Sequence, residues 1–333
     1  MNLKSSPKEF PATPDLSLAI KAEALRLGFD ACGIAPADAV DQSTAAALHR
    51  WLACHHQADM HYMNNYTDKR LDPRLLMEGT RSIVCVALNY YPPQFLPADA
   101  CQLAWYAYGK DYHDLMKAKL ATLQEFIVRH SPTPVQQSRT FCDTAPVLER
   151  YWAWRAGLGW IGKNTQLILP HSGSCFFLGE VFIDTEVNAY DMPQANRCGN
   201  CTRCLQACPT QALQAPYTLC AERCLSYLTI EHHGDIPPAQ VQQMNNQIYG
   251  CNDCLKACPW NRFATPTLIS EFHPSPALLT MRRTDWLTLS EEQYKILFKG
   301  SAVKRAKYKG LVRNIHAAAT NPLPRDEQSF TNS

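Results

Sequence analysis

Seven cysteines fall in two runs between residues 198 and 258 that each close on Cys-Pro, with two further cysteines between the runs, and this spacing constrains the chain more than any other feature. The first run is Cys198-x2-Cys201-x2-Cys204-x3-Cys208-Pro209. The second, Cys251-x2-Cys254-x3-Cys258-Pro259, repeats its latter part with one cysteine fewer. A cubane iron–sulfur cluster needs four thiolates converging from different directions. A tight loop with a helix start supplies three, and in two-cluster ferredoxins the last cysteine of each run ligates the other cluster. The runs supply four and three ligands where two clusters need eight, so one more is required, and Cys220 and Cys224 both lie in the gap. Spacing alone does not choose between them. Zinc is the plainer alternative, but zinc sites use separated Cys pairs and need neither a third cysteine at this step nor the trailing proline. The runs therefore predict two [4Fe-4S] clusters.

A chain of 333 residues with 46% hydrophobic composition is long enough for two or three domains and a sizeable core. A net charge of +2 selects no partner, so any nucleic-acid affinity must come from a local patch. Cys32, Cys54, Cys85, Cys101, Cys142, Cys175 and whichever of Cys220 and Cys224 is not a ligand show no paired spacing and read as reduced thiols. The N-terminal stretch has neither an apolar signal core nor a twin-arginine run, and no window reaches the length of a membrane span. These features point to a cytoplasmic protein with no membrane association, since clusters and free thiols suit a reducing compartment. Nothing in the chain demands more than a monomer.

After a polar, proline-bearing leader, the pattern predicts a helix over 15–27 capped by Asp15, a turn into a short strand over 28–34, and a helix over 44–54. Residues 81–90 (RSIVCVALNY) read as a central strand, 115–130 and 146–156 as helices, and 166–169 and 176–183 (FFLGEVFI) as strands. Helices alternating with buried strands predict an α/β or α+β domain over residues 1–190. A ferredoxin-type region is expected over 191–265, followed by a short helical segment over 266–333 whose tail from 321 is frayed.

Clusters only move electrons, so the larger domain should hold the substrate or a second cofactor. Gly157-x-Gly159-x-x-Gly162 matches the dinucleotide fingerprint in form, but a helix precedes it and a strand follows, the reverse of the required order. Its glycines instead suit a helix-to-strand turn or a close backbone approach. Asp143, just ahead of a predicted helix with Pro146 in its first turn, reads first as a helix cap and second as a catalytic acid. Tyr106, Tyr108, Lys110, Asp111, Tyr112 and His113 concentrate hydrogen-bonding groups suited to a polar pocket wall. Lys299, Lys304, Arg305, Lys307, Lys309 and Arg313 form a stretch free of acidic residues, with Tyr308 among them, which suits a phosphate backbone.

Taken together, DTAPVLER at 143–150, AGLGWIGKNT at 156–165, the cysteine runs, RCLSYLTIEHHGDIP at 223–237, IYGCNDCLKACPWNRF at 248–263 and GSAVKRAKYKGLVRN at 300–314 resemble epoxyqueuosine reductase. The resemblance runs in order from about residue 55 to 318. It implies a cobalamin-dependent iron–sulfur enzyme that performs the last step of queuosine synthesis on a tRNA with a GUN anticodon. It also implies Cys224 as the isolated ligand. Cys198, Cys201, Cys204 and Cys258 would then hold one cluster, and Cys208, Cys224, Cys251 and Cys254 the other. Asp143 matches the family's proton donor, which reverses the order of its two readings.

Cobalamin is implied in its base-off form, with the glycine loop and Asn164, Thr165, Leu167, Ile168 and Leu169 as candidates for lining the corrin. The Asp-x-His-x-x-Gly motif of histidine-ligated corrinoid proteins is absent, because Asp111-Tyr112-His113 leads to Met116 where glycine is needed. Many relatives carry a longer C-terminal domain of HEAT-like hairpins, so a reduced tRNA surface is expected here. A low-potential donor such as flavodoxin or ferredoxin would supply the electrons. Two rivals stand beside this reading: a ferredoxin-type carrier with no catalysis of its own, and a dehalogenase-like corrinoid enzyme acting on a small molecule.

Overall fold

The computed structural model describes residues 15–322. The leader before Asp15 and the tail after residue 322 lie outside the described residues. Asp15 accepts the N–H groups of Ser17 and Leu18 and so caps helix α1 (Leu16–Arg26), as its position ahead of an apolar-periodic stretch predicts. The chain continues through β1 (Ala31–Pro36), α2 (Gln42–Ala53), β2 (Ser82–Asn89), α3 (Tyr112–His130), β3 (Ser138–Phe141), α4 (Glu149–Arg155) and β4 (Phe176–Ile183).

These strands form one sheet in the order β1-β2-β4-β3, with every neighbouring pair antiparallel, so the alternating chain builds a mixed fold of the α+β kind. The two apolar runs seen in the sequence become its central pair, in register from Ser82 opposite Ile183 to Asn89 opposite Phe176. Both are covered on both faces. Val84, Val86, Leu88, Phe177 and Val181 meet Ile20 of α1 and Met116, Leu120 and Leu123 of α3. The alternate residues Ile83, Cys85, Ala87 and Phe182 meet Tyr151, Trp152 and Ala153 of α4. Two-sided burial explains why the period-two signal of these strands is lost in a continuous apolar run.

The predicted strand over 166–169 is a two-residue arm, Leu167–Ile168, paired with Trp160–Ile161 outside the main sheet. The glycines of the 157–162 loop serve this packing: a Cβ on Gly159 would lie 2.1 Å from the Ile168 carbonyl oxygen.

The cysteine region is built of short pieces: α5 (Arg203–Gln206), α6 (Leu225–Ile230), β5 (Gln247–Tyr249) and α7 (Asp253–Lys256). It shares one hydrophobic core with the C-terminal helices, including α8 (Lys307–Ala319), through Leu225, Leu228, Ile248, Trp286, Phe298, Leu311 and Ile315. Buried Asn314 of α8 donates to the carbonyls of Thr229 and Ile248 at 2.8 and 2.9 Å, fixing that helix on the cysteine region. The expected boundary near residue 190 is not a packing boundary. Leu96, Leu103, Trp105 and Tyr108 belong to this second core, and β5 pairs in parallel with Gln102–Leu103.

The end of α4 presses on β1 at Gly33, where a Cβ would sit 1.9 Å from the Ala156 carbonyl oxygen. Backbone cannot yield there as a side-chain tip can, so Gly33→Ala should cost about 1–3 kcal/mol. A fall in the thermal unfolding midpoint with unchanged cysteine content would record that loss.

Candidate functional site

The loop entering α5 carries Cys198 and Cys201, Cys204 lies in α5, and Cys258 follows α7. These four line a single cavity together with Lys163, Asn164, Ile168, Arg197, Pro259 and Trp260. The second set is drawn together from Cys208 after α5, Cys224 at the N-cap of α6, and Cys251 and Cys254 around the start of α7. Burial pushes the Cys254 thiol up to about 12, with Cys224 and Cys208 the next causes, and Cys251 rises through burial and the Asp253 charge, then through Cys254 and Cys224. Cys224 therefore lies within electrostatic reach of the second run.

Among the described residues, no three His, Cys, Asp or Glu side chains converge tightly enough to hold a single ion. Four sulfurs around a common hollow suit the larger cube of a [4Fe-4S] cluster, so the Cys198 set fits one, and Cys208, Cys224, Cys251 and Cys254, close enough for their charges to act on one another, have the donor chemistry for a second. The supporting contacts are also in place. Lys163 Nζ donates to the carbonyls of Gly199 and Cys201 at 2.6 and 2.9 Å, and the Ala212 N–H donates to Cys208 Sγ at 3.2 Å.

Asp143 does not cap α4. That helix begins at Glu149 with Leu148 as its N-cap, and Asp143 stands apart in the left-handed region at φ 55°. Pro146 lies in the loop before the helix, not in its first turn, because the chain makes a detour that brings Glu149 Oε1 onto the Asp143 N–H at 2.5 Å. The Asp143 side chain is 62% exposed. Its Oδ2 accepts from the Tyr112 hydroxyl at 2.6 Å and lies 3.8 Å from His113 Nε2. The other His113 nitrogen is 2.6 Å from Asp111 Oδ1, and Asp111 caps α3. Tyr112 is clamped between the rings of Phe177, at 4.0 Å and 10°, and His113. Burial and then the Asp143 charge hold its phenol far above the usual range, so it is a standing donor.

Two more carboxyls stand behind Asp143. Glu149 keeps partial exposure, yet burial and the Asp143 charge push it up to about 7. Glu180, in the middle of β4, is wholly buried. Toward solvent, Asp143 shares its surroundings with Tyr62, Glu231 and Arg305: its charge reaches both Tyr62 and Arg305, and Glu231 acts on both more strongly. The grouping of Asp111, Tyr112 and His113 is legible in the sequence. Tyr62, Lys163 and Glu149 carry no local signal of a role.

The basic segment divides. Lys299, Lys304, Lys307 and Lys309 are exposed. Arg305 is held by both oxygens of Glu231 at 2.5 and 2.9 Å. Arg313 is turned inward and donates to the carbonyls of Leu228, His232 and Gly234, so its charge serves the fold and is not offered to a phosphate.

Of the residues expected to line a corrin, Leu167 and Leu169 are in the core against the sheet, and Thr165 takes a positive φ of 64°. Asn164 and Ile168 reach the cysteine cavity. Among the described residues, the Asn164 amide nitrogen and the nearby Trp160 indole nitrogen are buried without a hydrogen-bond partner.

A family model described as epoxyqueuosine reductase QueG, DUF1730 matches residues 70–144, and one described as a 4Fe-4S double cluster binding domain matches residues 197–261. An epoxyqueuosine reductase of Leadbetterella byssophila is 46% identical over 301 residues, covering 90% of this chain and 97% of the relative. One of Escherichia coli K12 is 37% identical over 322 residues, covering 95% and 83%. A crystal structure of epoxyqueuosine reductase with an epoxyqueuosine-modified tRNA-Tyr stem loop aligns at a TM-score of 0.82 with 30% identity, covering 91% of this chain and 80% of that one. A Bacillus subtilis epoxyqueuosine reductase, solved with an aspartate catalytic loop swung out of its active site, aligns at 0.80 with 30% identity and the same coverage.

The donor sets make the two central cysteines separable. Cys224→Ser should halve the iron to about four per chain, whereas Cys220→Ser should keep about eight. Iron and sulfide counts on anaerobically purified protein distinguish the two.

Proposed function

The chain belongs to the epoxyqueuosine reductase family, and we propose that it removes the epoxide oxygen of epoxyqueuosine at the wobble position of tRNA. In this reading Asp143 is the acid, two [4Fe-4S] clusters are the electron path, and base-off cobalamin is the second cofactor. The observation that carries it is a single exposed carboxyl, fixed by a buried tyrosine, in a chain whose Cys198, Cys201, Cys204 and Cys258 line one cavity.

An epoxide oxygen leaves poorly as an alkoxide and needs a positioned proton. Tyr112 occupies Asp143 Oδ2, which leaves Oδ1 to present that proton on the exposed side. His113, tied to Asp111, limits how far the carboxyl can turn. The left-handed backbone at Asp143 and its open side chain also suit a loop that can move, the behaviour described for the Bacillus subtilis relative.

Bound cobalamin would supply a metal centre able to collect electrons that the clusters pass singly. The unpartnered Asn164 amide and Trp160 indole fit the carbonyl-bearing rim of a corrin, and Ile168 with the backbone of Thr165, Leu167 and Leu169 would complete that wall. Exposed Arg197 lines the Cys198 cavity, and with exposed Arg203, Lys256 and Arg262, near its cysteines in sequence, it suits an acidic low-potential carrier such as flavodoxin or ferredoxin. The exposed ends of Lys299, Lys304, Lys307 and Lys309, with Arg305 oriented by Glu231, suit the phosphates of the anticodon stem loop.

Asp143→Asn should retain iron, sulfide and the corrin absorption band while anaerobic single-turnover reduction of epoxyqueuosine tRNA slows by about 10²–10⁴. Normal turnover in that variant would remove Asp143 from the chemistry, and a supplemented preparation with no corrin band would favour an electron carrier instead. Replacing Lys304 and Lys307 by alanine should weaken tRNA binding and reduce the slope of log affinity against log salt by about 1 per lysine, read in a binding titration.

A further inference from the structure

Lys163 reaches the cysteine region from the glycine-rich segment ahead of it. The residue stands in the turn that joins Trp160–Ile161 to Leu167–Ile168. That turn is closed by the Gly162 N–H on the Gln166 carbonyl and the Thr165 N–H on the Gly162 carbonyl, both at 2.8 Å. The carbonyl of Lys163 itself accepts the N–H of Tyr217 at 3.0 Å, from the tip of the small hairpin Leu213–Ala215 and Thr218–Leu219. Its Nζ is bonded to Gly199 and Cys201 in the loop that enters α5. The cation is therefore fixed at its backbone and at its tip, and it is partly buried.

An ammonium carries three N–H donors. Two are taken by the carbonyls of Gly199 and Cys201, and among the described residues the third has no protein partner. Lys163 lines the same cavity as Cys198, Cys201, Cys204 and Cys258, and no carboxylate is among the residues that line it. The other cation of that lining, Arg197, is exposed and lies 5.8 Å from the Trp160 ring. The second cysteine set has the opposite charge beside it. Asp253 falls between Cys251 and Cys254 and acts on both, and the Ala212 N–H on Cys208 Sγ is a neutral donor.

A cluster held by four thiolates is an anion in both of its states and gains one more negative charge on reduction. Positive charge and donors near its sulfurs therefore raise its potential, and a nearby carboxylate lowers it. A fixed, partly buried cation with a spare donor is the stronger influence, because solvent and salt screen it less than an exposed one.

We propose that Lys163 makes the cluster of the Cys198 set the higher-potential member of the pair, the one on which an electron from the low-potential carrier first comes to rest. In that step one electron leaves the reduced carrier and enters the cluster, with no bond made or broken. Lys163 touches no substrate and acts as a positioning residue. The proposal rests on the reading that both cysteine sets hold [4Fe-4S] clusters.

The test is a reductive titration followed by electron paramagnetic resonance on the anaerobically purified full chain, after iron has been counted. Wild type should hold about eight irons and show two reduction waves, and Cys201→Ser should lose the upper one. In Lys163→Met the reduction equilibrium of the upper wave should fall about tenfold, about 59 mV for one electron, while the lower wave stays in place. Lys163→Gln, which keeps an N–H donor without the charge, should shift the same way, and Lys163→Arg should stay near wild type. The shift in Lys163→Met should persist at high salt, whereas any shift in Arg197→Met should fade.

Full iron with wild-type potentials in Lys163→Met would overturn the role, as would a shift confined to the lower wave. A shift in Lys163→Arg as large as in Lys163→Met would assign the effect to the loop and not to the charge, and overturn it too. Should Lys163→Met lose iron, Lys163→Gln carries the titration, and loss of a cluster from both would make the lysine a folding element only. Wild type with about four irons would overturn the two-cluster reading itself, and the role of Lys163 with it.

Discussion

Both halves of this protein depend on how one end of the central strand pair meets the cysteine-bearing body. At that end Asn89 donates to the Thr265 carbonyl, and Asn261, three residues past Cys258, accepts from the backbone and hydroxyl of Ser174 just ahead of β4. The same Asn261 donates to the Leu255 carbonyl in α7. One amide therefore ties the start of β4 to the helix that carries Cys254. The strand that carries Glu180 and the loop that carries Cys258 are fixed to each other by hydrogen bonds between largely buried groups, which bend little.

The acid site shows a local cost offset by local bonds. A non-glycine residue in the left-handed region costs on the order of 1 kcal/mol, somewhat less for aspartate than for most. Here the Asp143 amide has a charged acceptor in Glu149 and its carboxyl has a fixed donor in Tyr112, and bonds of that kind contribute a comparable amount. Substituting either partner should therefore alter the position of the loop as well as its chemistry.

Much of this was legible in the sequence, and what was not has physical reasons. Cluster chemistry dictates cysteine spacing, so both ligand sets could be written down once Cys224 was chosen through a resemblance. The apolar runs at 81–90 and 176–183 announced central strands, but alternation of helix and strand does not encode strand direction, and the antiparallel order emerged only with the fold. Asp143 resembled a cap because a short polar residue ahead of an apolar-periodic stretch is what a cap looks like. The detour to Glu149 is a tertiary contact with no local signature. Arg313 and Lys309 are indistinguishable as letters, yet one is consumed by three backbone carbonyls and the other is exposed. FFLGEVFI reads simply as a strand, and only the fold shows that its lone acid, Glu180, lies wholly buried.

The crossing of residues 96–108 into the second core has a consequence for modularity. Trp105 meets Asn252 through its backbone N–H, and Gln102–Leu103 forms half of the small parallel ladder with β5. Excising the cysteine body near residue 190 would strip away a wall of aromatic side chains and leave a ladder without its mate. The cysteine-bearing body is thus no detachable module appended to the sheet, because the two were folded around a shared strip of chain and inherit one another's stability.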